Sequence, residues 1–301
     1  MKRVYFALSV LLLAALACNF GAVPRTPTAP AADAAVTPAA LPATETLPAP
    51  APATETPAAP AAPAGTPYAC DRVRLVIPNG LAAGIECVVV PPQLGEDLPP
   101  WEKTPGHIEI GLQGYALGQK FHRPRLYVYP TLDLVALQPY VIENINQVKA
   151  MLARPGGPFS QADLPGIHFF NAGTVFASNI ALTNFVNGSG MRTLTVFGQY
   201  YAPVNNDDLF YHFQGLTSDD RYYIIAILPV THPGLQPDPQ ESSLPASSEF
   251  PVYPGFEGDV VANMNAYYDA VRIRLDAASP DAFSPGLATL DGLIASLEVV
   301  P

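Results

Sequence analysis

Leu209-Phe210-Tyr211-His212-Phe213-Gln214-Gly215-Leu216, the break Thr217-Ser218-Asp219-Asp220, and the run Tyr222-Tyr223-Ile224-Ile225-Ala226-Ile227-Leu228 decide how this chain folds. The last run is β-branched and aromatic, carries no charge and is bounded by turn residues. It reads as a strand covered on both faces, and therefore as a central one. The break is rich in the residues that close tight turns, so the two runs pair antiparallel. Along the first run His212 alternates with Tyr211 and Phe213, which places it with Phe210 and Gln214 on the less apolar face.

Upstream, Thr174–Val186 and Arg192–Tyr200 extend this pattern, separated by Asn187-Gly188-Ser189-Gly190 and by Pro203-Val204-Asn205-Asn206. Together the four runs predict an antiparallel meander, in which Asn187–Gly190 serves as a turn and not as a Gly-x-Ser-x-Gly nucleophile elbow. Earlier still, His107–Leu117 and Arg125–Tyr129 read as strands. Val141, Ile145, Val148 and Leu152 recur at helical spacing after Pro139, and Pro155-Gly156-Gly157 ends the helix. Arg72–Pro78 and Ile85–Val90 flank Asn79-Gly80 and predict a hairpin. Cys70 and Cys87 fall on either side of that turn and are expected to form a disulfide, as paired cysteines of exported proteins do.

Downstream, His232–Gly258 is a long polar loop. Two amphipathic helices follow, one with Val260, Met264, Tyr267, Val271 and Leu275 on its apolar stripe, the other with Leu287, Leu290, Ile294 and Leu297. Ser284-Pro285 is the expected cap and first-turn proline of the second. The fold class is therefore α+β: an antiparallel meander sheet packed by one internal and two C-terminal helices.

The first 67 residues are of another kind. Lys2 and Arg3 precede an apolar run, Val4–Ala17, too short to span a membrane comfortably and suited to a signal peptide over 1–17. Residues 19–67 contain 17 Ala, 12 Pro and 8 Thr, with Pro42-Ala43-Thr44-Glu45-Thr46 returning as Pro52-Ala53-Thr54-Glu55-Thr56. Such a composition offsets little ordering entropy, so 18–67 reads as a disordered linker with polyproline II character, and 68–301 as the folded domain.

Ala15-Leu16-Ala17-Cys18 resembles the lipobox of bacterial lipoproteins, with Ala15 where Leu is usual. The resemblance implies a lipid on Cys18, cleavage before it, and a membrane anchor on the extracytoplasmic face of the cell envelope. Tyr127-Val128-Tyr129-Pro130, Asn205-Asn206-Asp207-Asp208-Leu209-Phe210-Tyr211 and Ile227-Leu228-Pro229-Val230-Thr231-His232-Pro233 resemble a set of lipoproteins of Chloroflexota-type bacteria. That likeness spans most of 68–301; it implies a shared fold and surface location and supplies no catalytic residue. Phe283-Ser284-Pro285 through Leu290-Asp291-Gly292-Leu293-Ile294-Ala295-Ser296-Leu297 is faintly similar to PsbP-like domains, over about a fifth of the chain.

The 301 residues carry a net charge of -11 and only 14% charged side chains, with 35 prolines. An acidic chain lacks the basic face that nucleic-acid binding needs. His107, His122, His168, His212 and His232 follow no metal-ligand spacing, and no cofactor or metal is expected. Tyr200, Tyr201, Tyr211, His212, Tyr222 and Tyr223 cluster around the meander and form the candidate binding surface, since tyrosines at wet edges serve ligand and protein contacts. The expected function is a membrane-anchored module that binds a protein or a small ligand. The alternatives are an extracytoplasmic hydrolase whose site assembles only in three dimensions, or an envelope assembly or docking factor of PsbP-like kind.

Overall fold

The computed structural model describes residues 64–300; the expected signal peptide over 1–17, Cys18 and the expected linker up to residue 63 lie outside the described residues. The fold is α+β, as the strand and helix patterns predict. Strands β1 (Gly65–Cys70) and β2 (Val73–Pro78) open it, followed by β3 (Gly84–Val90), β4 (His107–Gln113) and β5 (Arg125–Pro130). Helices α1 (Thr131–Leu137) and α2 (Val141–Leu152) come next. The meander is β6 (Gly173–Phe185), β7 (Gly188–Gly198), β8 (Phe210–Thr217) and β9 (Tyr222–Pro229). Helices α3 (Val260–Ala277) and α4 (Leu287–Ala295) and the short β10 (Glu298–Val299) close the chain.

Seven strands form one antiparallel sheet in the order β3-β4-β5-β9-β8-β7-β6. β9 lies at its centre between β5 and β8, and every residue of β8 and β9 is buried. The uninterrupted apolar run therefore does mark a strand covered on both sides. On one face Tyr211, Phe213, Ile224, Ala226, Leu126 and Val128 pack with the buried stripes of α3 and α4. The small sheet β1-β2-β10 joins this layer through Val73, Leu75 and Ile77. On the other face Tyr129, Phe210, Tyr223, Ile225 and Ile227 pack with Val141, Ile145, Val148 and Met151 of α2. The segment after α2 completes that cover with Leu164, Ile167, Phe169 and Phe170.

Three local expectations are corrected. The Asn79-Gly80 turn exists, with Gly80 at φ 81° and Leu81 N–H bonded to Pro78 O at 3.1 Å. The strands on either side nevertheless do not pair: β2 joins β1 and β10, and β3 joins β4. A turn signal specifies a reversal of direction but not the partner of each strand. Helix α4 takes Gly286 as its N-cap, not Ser284, because Ser284 is held in an antiparallel bridge with Thr231. Gly65–Pro67, expected as the end of the linker, instead form the start of β1, pairing with Val76–Pro78 of β2 as an edge strand that tolerates Pro67.

Cys70 and Cys87 are disulfide-bonded, with a Cα–Cα distance of 5.5 Å. Since β1 and β3 belong to different sheets, the bond staples the small sheet to the edge of the large one. It closes a loop of sequence separation 17, for which the loop-entropy treatment expects about 3 kcal/mol. The double variant Cys70→Ser/Cys87→Ser should lose about that much in urea unfolding. Reducing agent should have the same effect on the native protein and none on the variant. An unchanged midpoint in both would show that the two sheets need no staple.

Candidate functional site

Cys18 lies outside the described residues. Of the six residues expected at a binding surface, Tyr200 and Tyr201 are exposed, while Tyr211, His212, Tyr222 and Tyr223 are buried. The predicted alternation is correct, but the less apolar face is sealed by α2 and the 159–170 segment, so its polar groups bond internally. Gln214 Nε2 donates to Gly166 O and to His212 Nε2, both at 2.8 Å, and Tyr223 OH donates to Gln214 Oε1. On the opposite face Tyr211 OH donates to Asp291 Oδ1 at 2.8 Å. Gln214 and Tyr211 thus tie the sheet to its covering layers, and Tyr211, His212, Tyr222 and Tyr223 do not present a surface.

The histidines are likewise interior. His107 stacks on Tyr129 with ring centroids 4.5 Å apart, His168 meets Tyr129 at 5.0 Å, and His122 meets Phe210 at 4.3 Å. Both ring nitrogens of His168 are buried without a hydrogen bond. Burial lowers His122 to a pKa of about 4, and lowers His168 and His212 to about 3 with smaller contributions from His107 and His122 respectively. All three are neutral at pH 7.

The oxygen-rich loop at Asn205 bonds to itself. Asn205 Oδ1 accepts from Asp207 N–H and Asp208 N–H at 2.8 and 3.0 Å, and its Nδ2 donates to Asp208 Oδ2. Among the described residues no group of three or more His, Cys, Asp or Glu side chains is placed to hold a metal ion.

The open surface with concave geometry runs along the outer edge of β6, where no further strand pairs. Two clefts adjoin there, of about 780 and 720 Å³, and share Gln161, Tyr268 and Asp269. The first lies between β6, helix α3 and the turn at 159–162, with Phe159 and Tyr268 as its aromatic wall. Tyr200, Tyr201 and Phe256 line the second. Of the six residues expected at a binding surface, Tyr200 and Tyr201 are the two that line this groove.

The first cleft depends on an irregularity of β6. The register with β7 shifts between Ser178 and Ala181, and Asn179 adopts φ 52°. A bulge of this kind bends an edge strand and re-aims its side chains. Asn179 is held from three directions. Its N–H donates to Asp276 Oδ1 at 2.6 Å, its Nδ2 donates to Leu275 O at 2.9 Å, and its carbonyl accepts from Arg192 Nη1. On the other wall Ser160 N–H and Oγ both donate to Asp163, at 2.8 and 2.9 Å, closing a capping box. The Ser160 N–H first, then Arg154 and the Ser160 hydroxyl, hold Asp163 at a pKa of about 2. Gln161 Nε2 donates to Thr174 O at 2.7 Å and pins this turn against the strand.

Two polar atoms among the residues of this cleft are buried without a hydrogen-bond partner, Ser178 Oγ and Arg192 Nε. Arg192 Nε is 3.3 Å from Asp291 Oδ1, an ion-pair distance without hydrogen-bond alignment. Arg272 is paired with Asp269 at 3.1 Å and Asp276 at 3.3 Å, and the bond to Asp269 is the main reason its pKa is raised. Part of this site was readable: Asp269, Arg272 and Asp276 form a charge ladder at helical spacing beside the apolar stripe of α3. Ser178-Asn179 also interrupts the apolar residues Val175–Ala177 and Ile180–Leu182 of the strand. Neither signal says that the two segments meet. Comparison of the chain with models of known protein families, with curated proteins and with solved structures finds no match.

Proposed function

We propose that this protein is a lipid-anchored lipoprotein of the cell envelope whose extracytoplasmic domain binds a ligand in the groove along β6. The observation that carries the binding reading is the pair of adjoining clefts at an edge strand, with aromatic walls and a buried Ser178 hydroxyl that lacks a partner. Ligand sites combine an apolar lining with a few convergent polar groups in this way. The lipobox-like Ala15-Leu16-Ala17-Cys18 supports the anchor, and the Ala/Pro/Thr-rich linker after it supports a domain held away from the membrane. Among the described residues no helix is long and apolar enough to cross a membrane, so membrane attachment in this reading rests on the acyl chains. Each buried CH2 contributes about 0.8 kcal/mol, and two or more chains hold firmly.

The anchor is tested by substitution. Cys18→Ala should move the protein from the membrane fraction to the soluble one and abolish incorporation of labelled fatty acid. A variant that stays on the membrane, or a wild type that takes up no label, would overturn the lipoprotein reading.

A further inference from the structure

We infer that the β6 groove takes a neutral polyhydroxylated ligand, an oligosaccharide chain, with Ser178 at one end and Tyr200 at the other. The inference rests on the binding reading above and gives it a chemical class. Four observations lead to it.

The first is charge balance. Arg192 and Arg272 face Asp269 and Asp276 in the first cleft, and in the second Asp269 is the one ionisable acid or base of the lining apart from tyrosine. A strongly charged ligand gains little net field there, whereas an uncharged one with many hydroxyls meets both donors and acceptors. The second is the kind of polar atom left without a partner. Arg192 Nε faces Asp291 Oδ1 at 3.3 Å, away from the cleft lining, so the atom left without any partner is Ser178 Oγ, which both donates and accepts. A ligand hydroxyl of either sense satisfies it. Ser178 is 1% exposed, so leaving its Oγ unpaired costs free energy that a bound hydroxyl would recover.

The third observation is the spacing of aromatic surface. Tyr268 belongs to both clefts, with Phe159 on one side of it and Tyr201, Tyr200 and Phe256 on the other. Tyr200 is 74% and Phe256 52% exposed. Rings along a groove present apolar faces to the C–H side of successive sugar rings while the hydroxyls at their edges bond to side chains. Gln161, Thr174, Gln199 and Asn265 supply neutral amide and hydroxyl groups along the second cleft.

The fourth observation decides between a sugar and the other occupant an edge strand invites, an extended peptide added to the sheet. Strand addition needs a regular row of free backbone groups. β6 breaks register between Thr174 and Phe176 and again between Ser178 and Ala181. Thr174 O is already taken by Gln161, and Asn179 N–H by Asp276. The edge is therefore blunted against strand pairing as natural edges often are, while its side chains remain open to the groove.

The test uses the full-length protein in detergent micelles. The probes are uncharged hexasaccharides (cello-, malto-, xylo- and chitohexaose), hexagalacturonate as the acidic counterpart, and a library of extended hexapeptides. Binding is read by titration calorimetry and by hydrogen exchange of Thr174–Ile180. At least one neutral hexasaccharide should bind and protect that segment. Tyr200→Ala, at an exposed ring whose removal leaves the fold intact, should weaken it about fivefold. Ser178→Ala should weaken it about tenfold, a difference of about 1.4 kcal/mol, with no loss of stability in the free protein. Binding of hexagalacturonate alone or of a peptide, with the same variants weakening it, would overturn the sugar class and leave the groove as the binding site. Binding of a sugar that neither variant weakens would overturn the placement. No binding to any probe would overturn both this inference and the groove as a binding site.

Discussion

Acidification from pH 7 to about 4.5 should remove on the order of 8 kcal/mol of folding free energy, through three histidines held neutral inside the sheet. His122, His168 and His212 have folded pKa values of about 4, 3 and 3, each lowered chiefly by burial, against an ordinary value near 6.5. Their signs agree. The unfolded chain takes up a proton at each site as the pH falls through about 6.5, and the folded chain does not do so until much lower. Stability is therefore complete above the unfolded value and lost progressively below it. Each histidine contributes a slope of about 1.4 kcal/mol per pH unit, so the three together lose about 4 kcal/mol per unit between roughly pH 6 and 4.5.

A domain of this size is stable by about 5–15 kcal/mol, so acid unfolding is expected near pH 4–5. Urea midpoints at pH 7, 6 and 5, followed by circular dichroism, measure the slope. The variant His168→Phe removes a ring with no hydrogen bond on either nitrogen and keeps its contacts with Tyr129 and Phe169. It should cut the slope by about one third. A midpoint that stays flat from pH 7 to 5 would show that these rings are already charged or hydrated in the native state.

Gly190→Val should destabilise the protein by on the order of 4 kcal/mol, beyond the usual range for a single substitution. Gly190 faces Gly215 across the β7–β8 ladder. A Cβ there would lie 2.2 Å from Gln214 O, 2.6 Å from Gly215 Cα and 2.7 Å from Phe213 Cζ. Two of those three atoms are backbone of a fully buried strand and cannot turn away. Gly173→Ala, where a Cβ meets nothing within 4 Å, is the matched control and should leave the urea midpoint unchanged. Equal midpoints for Gly190→Val and wild type would show that β7 and β8 separate at little cost.

The same glycine shows where sequence reading stops. Asn187-Gly188-Ser189-Gly190 has the composition of a turn, yet Phe185 pairs with Gly188, so the reversal itself is Val186-Asn187 and both glycines lie within β7. They are there because the neighbouring strand approaches closely: a Cβ on Gly188 would meet Leu216 O at 2.3 Å. Glycine's letters are the same for a bend and for a close contact, and only the second strand distinguishes them. The reading of His212 failed for a related reason. Its position opposite Tyr211 and Phe213 followed from alternation, but its burial depends on a cover contributed by residues 159–170, more than 40 positions away.

Local pattern was sufficient wherever one segment's own periodicity carries the information. The two-sided centre of the sheet, the stripes of α2, α3 and α4, and the pairing of Cys70 with Cys87 were all legible, because burial of a continuous apolar run or stripe is a property of that run. What local pattern could not supply was the partner of each element. β2 leaves β3 for β1 and β10, and the end of the chain docks on the β6–β7 hairpin, where Asn187 exchanges hydrogen bonds with Val299 at 2.7 and 3.1 Å. The groove belongs to this second kind. Ser178, Arg192 and Tyr268 come from two strands and a helix and meet only because a bulge, a capped turn and a helix end are held together by hydrogen bonds. Contacts between distant segments are selected by the total packing of the domain, and that selection leaves no periodic trace in the chain.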